Sequence, residues 1–292
     1  MSVQFGLGIS ASSANGSDPV GDALKAEAVG FDFVSANDHF HATGPRHELW
    51  TLMAWIAAST SRIKVASRVL GVPFRNPAVV AKMAETFDRL SDGRSILGLG
   101  AGASDDEFGA LGIPARPLRE RIDGLEEAIQ LTRGLWSDRP FTFAGRTHHA
   151  AGADLQPKPA HRIPIWLGTH GPRGVAMVGR LADGWIPSIE LVPPDRAGEM
   201  IALLTAAAEG AGRDPASITR AYNLEVRIGA ADPAEPHRIC GSAEEIAARL
   251  VEFTRLGFNA FNLVPAGPDL DAQVAELGRD VLPDVRAAAS PR

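Results

Sequence analysis

The chain has 292 residues, 45% of them hydrophobic, with 30 glycines, 21 prolines and a formal net charge of −6. That composition supports one large core. The lack of any Lys/Arg block argues against a nucleic-acid partner, and no apolar stretch reaches the length needed to span a membrane. Cys240 stands alone, which excludes an intrachain disulfide, fits a reducing cytoplasm and reads as a small, half-buried side chain.

The chain opens directly in a strand pattern, Val3–Ile9, with no charged and apolar leader ahead of it. Asp18-Pro19 starts a helix, an acceptor side chain followed by a first-turn proline, that runs through Val29 and ends at Gly30. Phe31–Ala36 is the second strand and closes on Asn37-Asp38-His39-Phe40. Leu49–Ser59 reads as helix, Arg62–Leu70 as the third strand, Pro77–Leu90 as helix, Ser95–Leu99 as the fourth strand and Leu118–Trp136 as a long amphipathic helix. Phe141–Ala150 alternates and predicts a small hairpin turning at Gly145, an insertion rather than a core element. Pro157-Lys158-Pro159 is a rigid connector. Strands at Ile163–Gly168, Gly184–Pro187, Ile218–Ile228 and Phe258–Val264 then alternate with helices at Arg173–Leu181, Pro194–Gly212, Ala243–Leu256 and Leu270–Ala288. About eight strands and eight helices in alternation predict a single-domain α/β protein over residues 1–292, a (β/α)8 TIM barrel with insertions in the βα loops.

In such a barrel the reactive face lies at the C-terminal ends of the strands, and here those ends are polar or glycine-rich. They carry Ser10 and Ser12 (first strand), Asn37-Asp38-His39 (second), Ser67-Arg68 (third), Gly100-Ala101-Gly102-Ala103-Ser104 (fourth), Gly168-Thr169-His170-Gly171-Pro172 (fifth), and Asn223, Glu225 and Arg227 (seventh). Several of these should converge on one cleft. The run Gly98-Leu99-Gly100-Ala101-Gly102 follows a buried strand, and a loop without side chains lets backbone N–H groups approach an anion. It does not match a dinucleotide fingerprint: about 100 residues precede it, and the acidic residues downstream (Glu120, Asp123, Glu126, Glu127) fall in a helical pattern. Gly168–Pro172, directly ahead of a helix, is a second candidate anion cradle. His39 suits proton transfer, because an imidazole titrates near neutrality. Asp38 either orients it, binds a cofactor amide or serves as a turn residue. Arg68 would be costly if buried unpaired, so it should meet a phosphate, a substrate carboxylate or an acidic partner such as Glu225. Arg75 reads as a loop or helix-start contact, and Trp50 either packs in the core or shapes the pocket. His39, His41 and His47, with the pair His148-His149, lack a metal-ligand spacing, and no Gly-x-Ser-x-Gly elbow marks a hydrolase.

Seven ordered segments carry a resemblance that covers nearly the whole chain: Ala26–Asp32, Asn37–Phe40, Ala58–Ile63, Asp88–Arg94, Leu97–Gly102, Pro164–Gly168 and Ala182–Trp185. Together they resemble the luciferase-like flavin monooxygenase superfamily, which implies a (β/α)8 barrel binding a flavin or deazaflavin at its C-terminal face. Gly168–Pro172 and Asp38-His39-Phe40 are more similar to the branch that uses the deazaflavin coenzyme F420 than to the FMN branch. By that resemblance Asp38 and His39 contact the ring system. Arg68-Val69 form the third-strand bulge, often a non-prolyl cis peptide, that supports the ring. Ala101-Gly102 and Thr169-His170-Gly171, with Gly168 at the strand end, hold the phosphate. The chain departs from the deazaflavin-dependent sugar-phosphate dehydrogenases at Ser12 and Ala103, where they have glutamates, and near Thr43-Gly44, where they have a tryptophan. His39 is left as the main proton carrier, and a different substrate is implied. The expected function is hydride transfer between F420 and a small organic substrate. An FMN-dependent monooxygenase using O₂ and a catalytically silent flavin-binding protein are the alternatives. The expected partners are the substrate and a second copy of the chain, with no nucleic acid and no membrane.

Overall fold

The computed structural model describes residues 3–40, 44–137, 139–231 and 233–289. Eight strands, β1 (Gln4–Gly8), β2 (Phe33–Ala36), β3 (Lys64–Ser67), β4 (Ser95–Gly100), β5 (Ile165–Leu167), β6 (Gly184–Trp185), β7 (Thr219–Ile228) and β8 (Ala260–Pro265), pair in parallel in that order. The register closes where Ala260 of β8 stands beside both Gln4 of β1 and Ala221 of β7. The helices α1 (Pro19–Ala28), α2 (Leu49–Ser59), α3 (Pro77–Leu90), α4 (Leu118–Leu135), α5 (Pro172–Leu181), α6 (Pro194–Gly210) and α7 (Ala243–Leu256) follow β1 to β7 in turn, and a final helical stretch follows β8. This is the predicted (β/α)8 barrel. Its βα loops carry insertions: 37–48, a short helix at Asp105–Ala110, and 229–242 with a short strand at Ile239–Gly241.

Local chemistry accounts for the element ends. Asp18 accepts the Gly21 N–H at 2.8 Å with Pro19 in the first turn of α1, and Ser242 and Glu245 form a reciprocal capping box on α7. The predicted hairpin forms from Phe141–Ala144 and His149–Ala153, with the Gly145 N–H donating to the His148 carbonyl. It lies between α4 and β5 and packs along α4. Two departures have physical causes. The third strand, which reads as continuous over Arg62–Leu70, is interrupted at Arg68-Val69 and resumes at Leu70-Gly71, where it pairs with Leu99 and Gly100 of β4. The last helix widens into a π turn at Leu277–Val281, just ahead of Pro283, whose nitrogen has no hydrogen to donate.

The lower barrel interior is one apolar layer of Phe33, Ala66, Ile96, Trp166, Ile186, Ala221 and Ala260, with the Phe33 and Trp166 rings edge to face at 5.3 Å. Toward the C-terminal ends the interior turns polar. Ser35 Oγ donates to Asn262 Oδ1 at 2.7 Å, and Asn262 Nδ2 donates to Asn223 Oδ1 at 2.7 Å. That polar layer is the floor on which the functional cleft stands.

Candidate functional site

A cleft of about 680 Å³ opens above this floor at the C-terminal ends of the strands. All ten residues expected from the sequence line it: Asp38, His39, Arg68, Val69, Ala101, Gly102, Gly168, Thr169, His170 and Gly171. Four loops, those after β2, β3, β4 and β5, bring them together. Asn223, named from the sequence, also lines the wall, together with residues not expected there, among them Phe74, Glu107, Arg121, Arg173, Ile186 and Ser188. Ser10, Ser12, Glu225 and Arg227 do not line it. Ser12 Oγ accepts the Ala14 N–H instead, and Glu225 pairs with Arg238 at 2.9 Å. The expectation that Glu225 meets Arg68 is therefore overturned. Trp50 packs in a groove between α2 and α3, away from the cleft. Ser104 caps the 105–110 helix. His41 and Thr43 lie outside the described residues.

The second-strand loop is held from beneath. The Asp38 carboxylate is buried and takes a bidentate contact from Arg75, at 2.6 and 2.9 Å, plus the Gly71 N–H at 3.1 Å. Arg75 also reaches Glu48 at 2.5 Å and lies over the Phe40 ring. So Asp38 does not orient His39, and Arg75 is more than a helix-start contact: together they clamp the loop after β2 to the loop after β3. Burial alone would lower the Arg75 guanidinium, but the Asp38 and Glu48 carboxylates outweigh it and hold it above its ordinary range.

His39 is oriented by a residue that sequence reasoning passed over. Its Nδ1 lies 3.2 Å from Glu107 Oε2, and the Phe40 N–H donates to Glu107 Oε1. Glu107 is buried on the short helix after β4, 68 positions along the chain. The resemblance directs attention to Ala103, where a glutamate is missing, while a carboxylate four residues on reaches the histidine. A carboxylate at Nδ1 fixes the proton there, leaving Nε2 to accept when the ring is neutral and to donate when it is charged.

The Arg68-Val69 peptide is cis, as the resemblance implies for the bulge. Val69 packs against glycines: a Cβ on Gly100 would stand 2.6 Å from Val69 Cγ2, and one on Gly168 would stand 2.9 Å from it. Gly102 has φ +80°, and a Cβ there would run into the Phe108 ring. The alternating glycines of the fourth strand are thus set by the bulge that packs on them. The fifth-strand loop differs. A Cβ on Gly171 would meet nothing within 4 Å, and α5 starts there with no side-chain cap on its first-turn N–H groups. Among the described residues no carboxylate pairs with His170, and burial pushes its imidazole below the ordinary 6.5, which favours the neutral ring.

A closed parallel (β/α)8 barrel with a polar-floored cleft built from the βα loops defines the class: an enzyme-type TIM barrel. The luciferase-like monooxygenase family model matches residues 4–238, and the chain belongs to that family. An F420-dependent glucose-6-phosphate dehydrogenase from Intrasporangium calvum is 30% identical over 91% of this chain and 94% of that protein. One from Kineococcus radiotolerans is 32% identical over 73% of this chain, a stretch that spans only 64% of that protein's length. Among solved structures, an F420-dependent secondary alcohol dehydrogenase in complex with an F420-acetone adduct superposes with a TM-score of 0.88 at 25% identity, covering 98% of this chain and 99% of that one.

Proposed function

We propose that the protein is an F420-dependent oxidoreductase that transfers a hydride between the deazaflavin and a small organic substrate. The observation that carries this reading is the convergence of the second-, third-, fourth- and fifth-strand loops on one cleft, in a chain whose relatives bear F420-dependent names. The residues fit the cofactor. Val69 and the glycines beneath it give a flat apolar wall suited to a ring system. The uncapped start of α5, with Thr169, His170 and Gly171 ahead of it and Ala101-Gly102 opposite, offers backbone donors to a phosphate. When bound, F420 supplies the hydride donor or acceptor carbon.

The chain's own part is orientation and proton management. His39 holds or moves a proton at Nε2, with Glu107 fixing its tautomer at Nδ1. Asp38 and Arg75 keep the wall that carries His39 in place. Paired titrations of the purified protein with F420 and with FMN, read by fluorescence, test the assignment. Selective F420 binding supports it. Selective FMN binding, with oxygen uptake coupled to reduced FMN, overturns it in favour of a monooxygenase.

We also propose a homodimer in a reducing cytoplasm. Val79 and Leu90, 56% and 82% exposed, border an apolar groove between α2 and α3, a patch that association would cover. Among the described residues no helix is long and apolar enough to cross a membrane. Val79→Glu with Leu90→Glu is expected to convert a dimer to a monomer in sedimentation velocity. A wild-type protein that sediments as a monomer refutes the dimer.

A further inference from the structure

The mouth of the barrel holds a charge that the fold leaves uncompensated. Arg68 leaves β3 at the bulge, and its side chain is enclosed by the barrel with part of its surface facing the cleft. Its Nε donates to Ser35 Oγ at 3.1 Å, and among the described residues no carboxylate stands close enough to pair with it. The two carboxylates of the cleft are already engaged: Asp38 by Arg75 and the Gly71 N–H, Glu107 by His39 and the Phe40 N–H. Ser35 leads only to the amides of Asn262 and Asn223, which are dipoles and not charges. Burial lowers the guanidinium to about 10, which still leaves it cationic at neutral pH. An enclosed, unpaired cation is costly unless an anion meets it.

We infer that Arg68 is the anion receptor of the substrate subsite, and that the substrate is a small carboxylic acid whose carboxylate lies against the Arg68 fork. A single planar guanidinium matches a planar monoanion. A phosphate is better served by the several backbone donors at the start of α5. The inference rests on the hydride-transfer reading above and narrows its substrate class. It also accounts for a cleft that joins a fixed cation to a proton-carrying His39.

The test uses propanoate and its neutral analogue propanamide as probes of the full-length protein loaded with F420, with binding followed by ligand-observed NMR. Propanoate is expected to bind about tenfold or more tightly than propanamide, and Arg68→Met to abolish that preference. Without ligand the same variant should melt at or above the wild-type temperature, because it removes a charge that nothing neutralises. Should Arg68→Met fold poorly, Arg68→Gln keeps a donor for Ser35 and makes the same prediction. Equal binding of the two probes overturns the inference. So does an Arg68→Met protein that loses F420 affinity while its probe preference survives, since the anion then belongs to the cofactor. A wild-type protein that ignores F420 but shows an Arg68-dependent preference for propanoate refutes the hydride-transfer reading and leaves the anion receptor standing.

Discussion

His39 lines the cleft with its Nδ1 held by Glu107, so the pair should act as a unit. His39→Ala is expected to lower kcat by about 10²–10⁴-fold with only a modest loss of F420 affinity, checked by steady-state kinetics beside a cofactor titration. Glu107→Gln should lower kcat less. Because it acts through His39, adding it to His39→Ala should cost nothing further. Additive losses in the double variant would mean that Glu107 works independently. Sequence reasoning reached His39 through its place at a strand end and its chemistry. It missed Glu107 and misread Arg75, because partners 68 and 37 positions apart carry no local spacing signal. The one clue to Glu107 was its place three residues after a capping serine, which says only where a helix starts. Asp38 was legible as a site residue but not as an anchor. Asp38→Asn should cost about 3 kcal/mol in urea unfolding, near the low end for breaking a buried pair because Glu48 still meets Arg75; a loss under about 1 kcal/mol would deny it that role.

At the scale of elements, alternation and turn residues made the barrel readable. Most strands are short buried runs, and most helices start on a capping Asp, Asn, Ser or Glu or on a first-turn Pro. The interruption of the third strand was not readable from its own residues, since Arg62–Leu70 keeps a strand pattern throughout. What breaks it is a change of hydrogen-bonding neighbours, from β2 and the start of β4 to the end of β4. The glycines of β4 and β5 record that event, because Val69 occupies the space where their Cβ atoms would be. Two substitutions in one loop separate packing from ligand contact. Gly168→Ala should destabilise the fold by about 1–3 kcal/mol through overpacking, whereas Gly171→Ala, with open space around it and φ −94°, should fold normally and alter only ligand affinity. Equal stability losses from the two would show that Val69 yields easily and that the bulge does not dictate those glycines.

For the molecule as a whole, the charged groups predict an acid-sensitive fold with two stages. His148 and His170 are held below 6.5, in both cases first by burial, so the unfolded chain takes up these protons before the folded one does. Their contribution to stability is complete above pH 6.5 and is lost as pH falls toward their lower folded values. The second stage belongs to carboxylates. Burial would raise Asp183, but Arg133, the Ile165 N–H and Arg162 outweigh it and hold it below 3.8. Glu48, also subject to burial, is held below 4.5 by the Thr51 N–H and Arg75. Their contribution persists above those ordinary values and disappears as pH falls through the folded ones. Asp22, raised chiefly by burial, opposes this trend at a single site. Urea unfolding should therefore give a flat stability between pH 8 and 7, a shallow decline from about 6.5 to 5 of at most about 1.4 kcal/mol per pH unit for each proton, and a steeper one below about 4.5. His148→Gln, outside the cleft, should flatten part of the shallow decline and leave the steep one untouched. A wild-type stability that stays constant from pH 7 to 5 would mean that the two imidazoles reach protons as readily in the folded barrel as in the unfolded chain. His170 would then meet the cleft partly as a cation, and the neutral wall beside the proposed phosphate site would have to be abandoned.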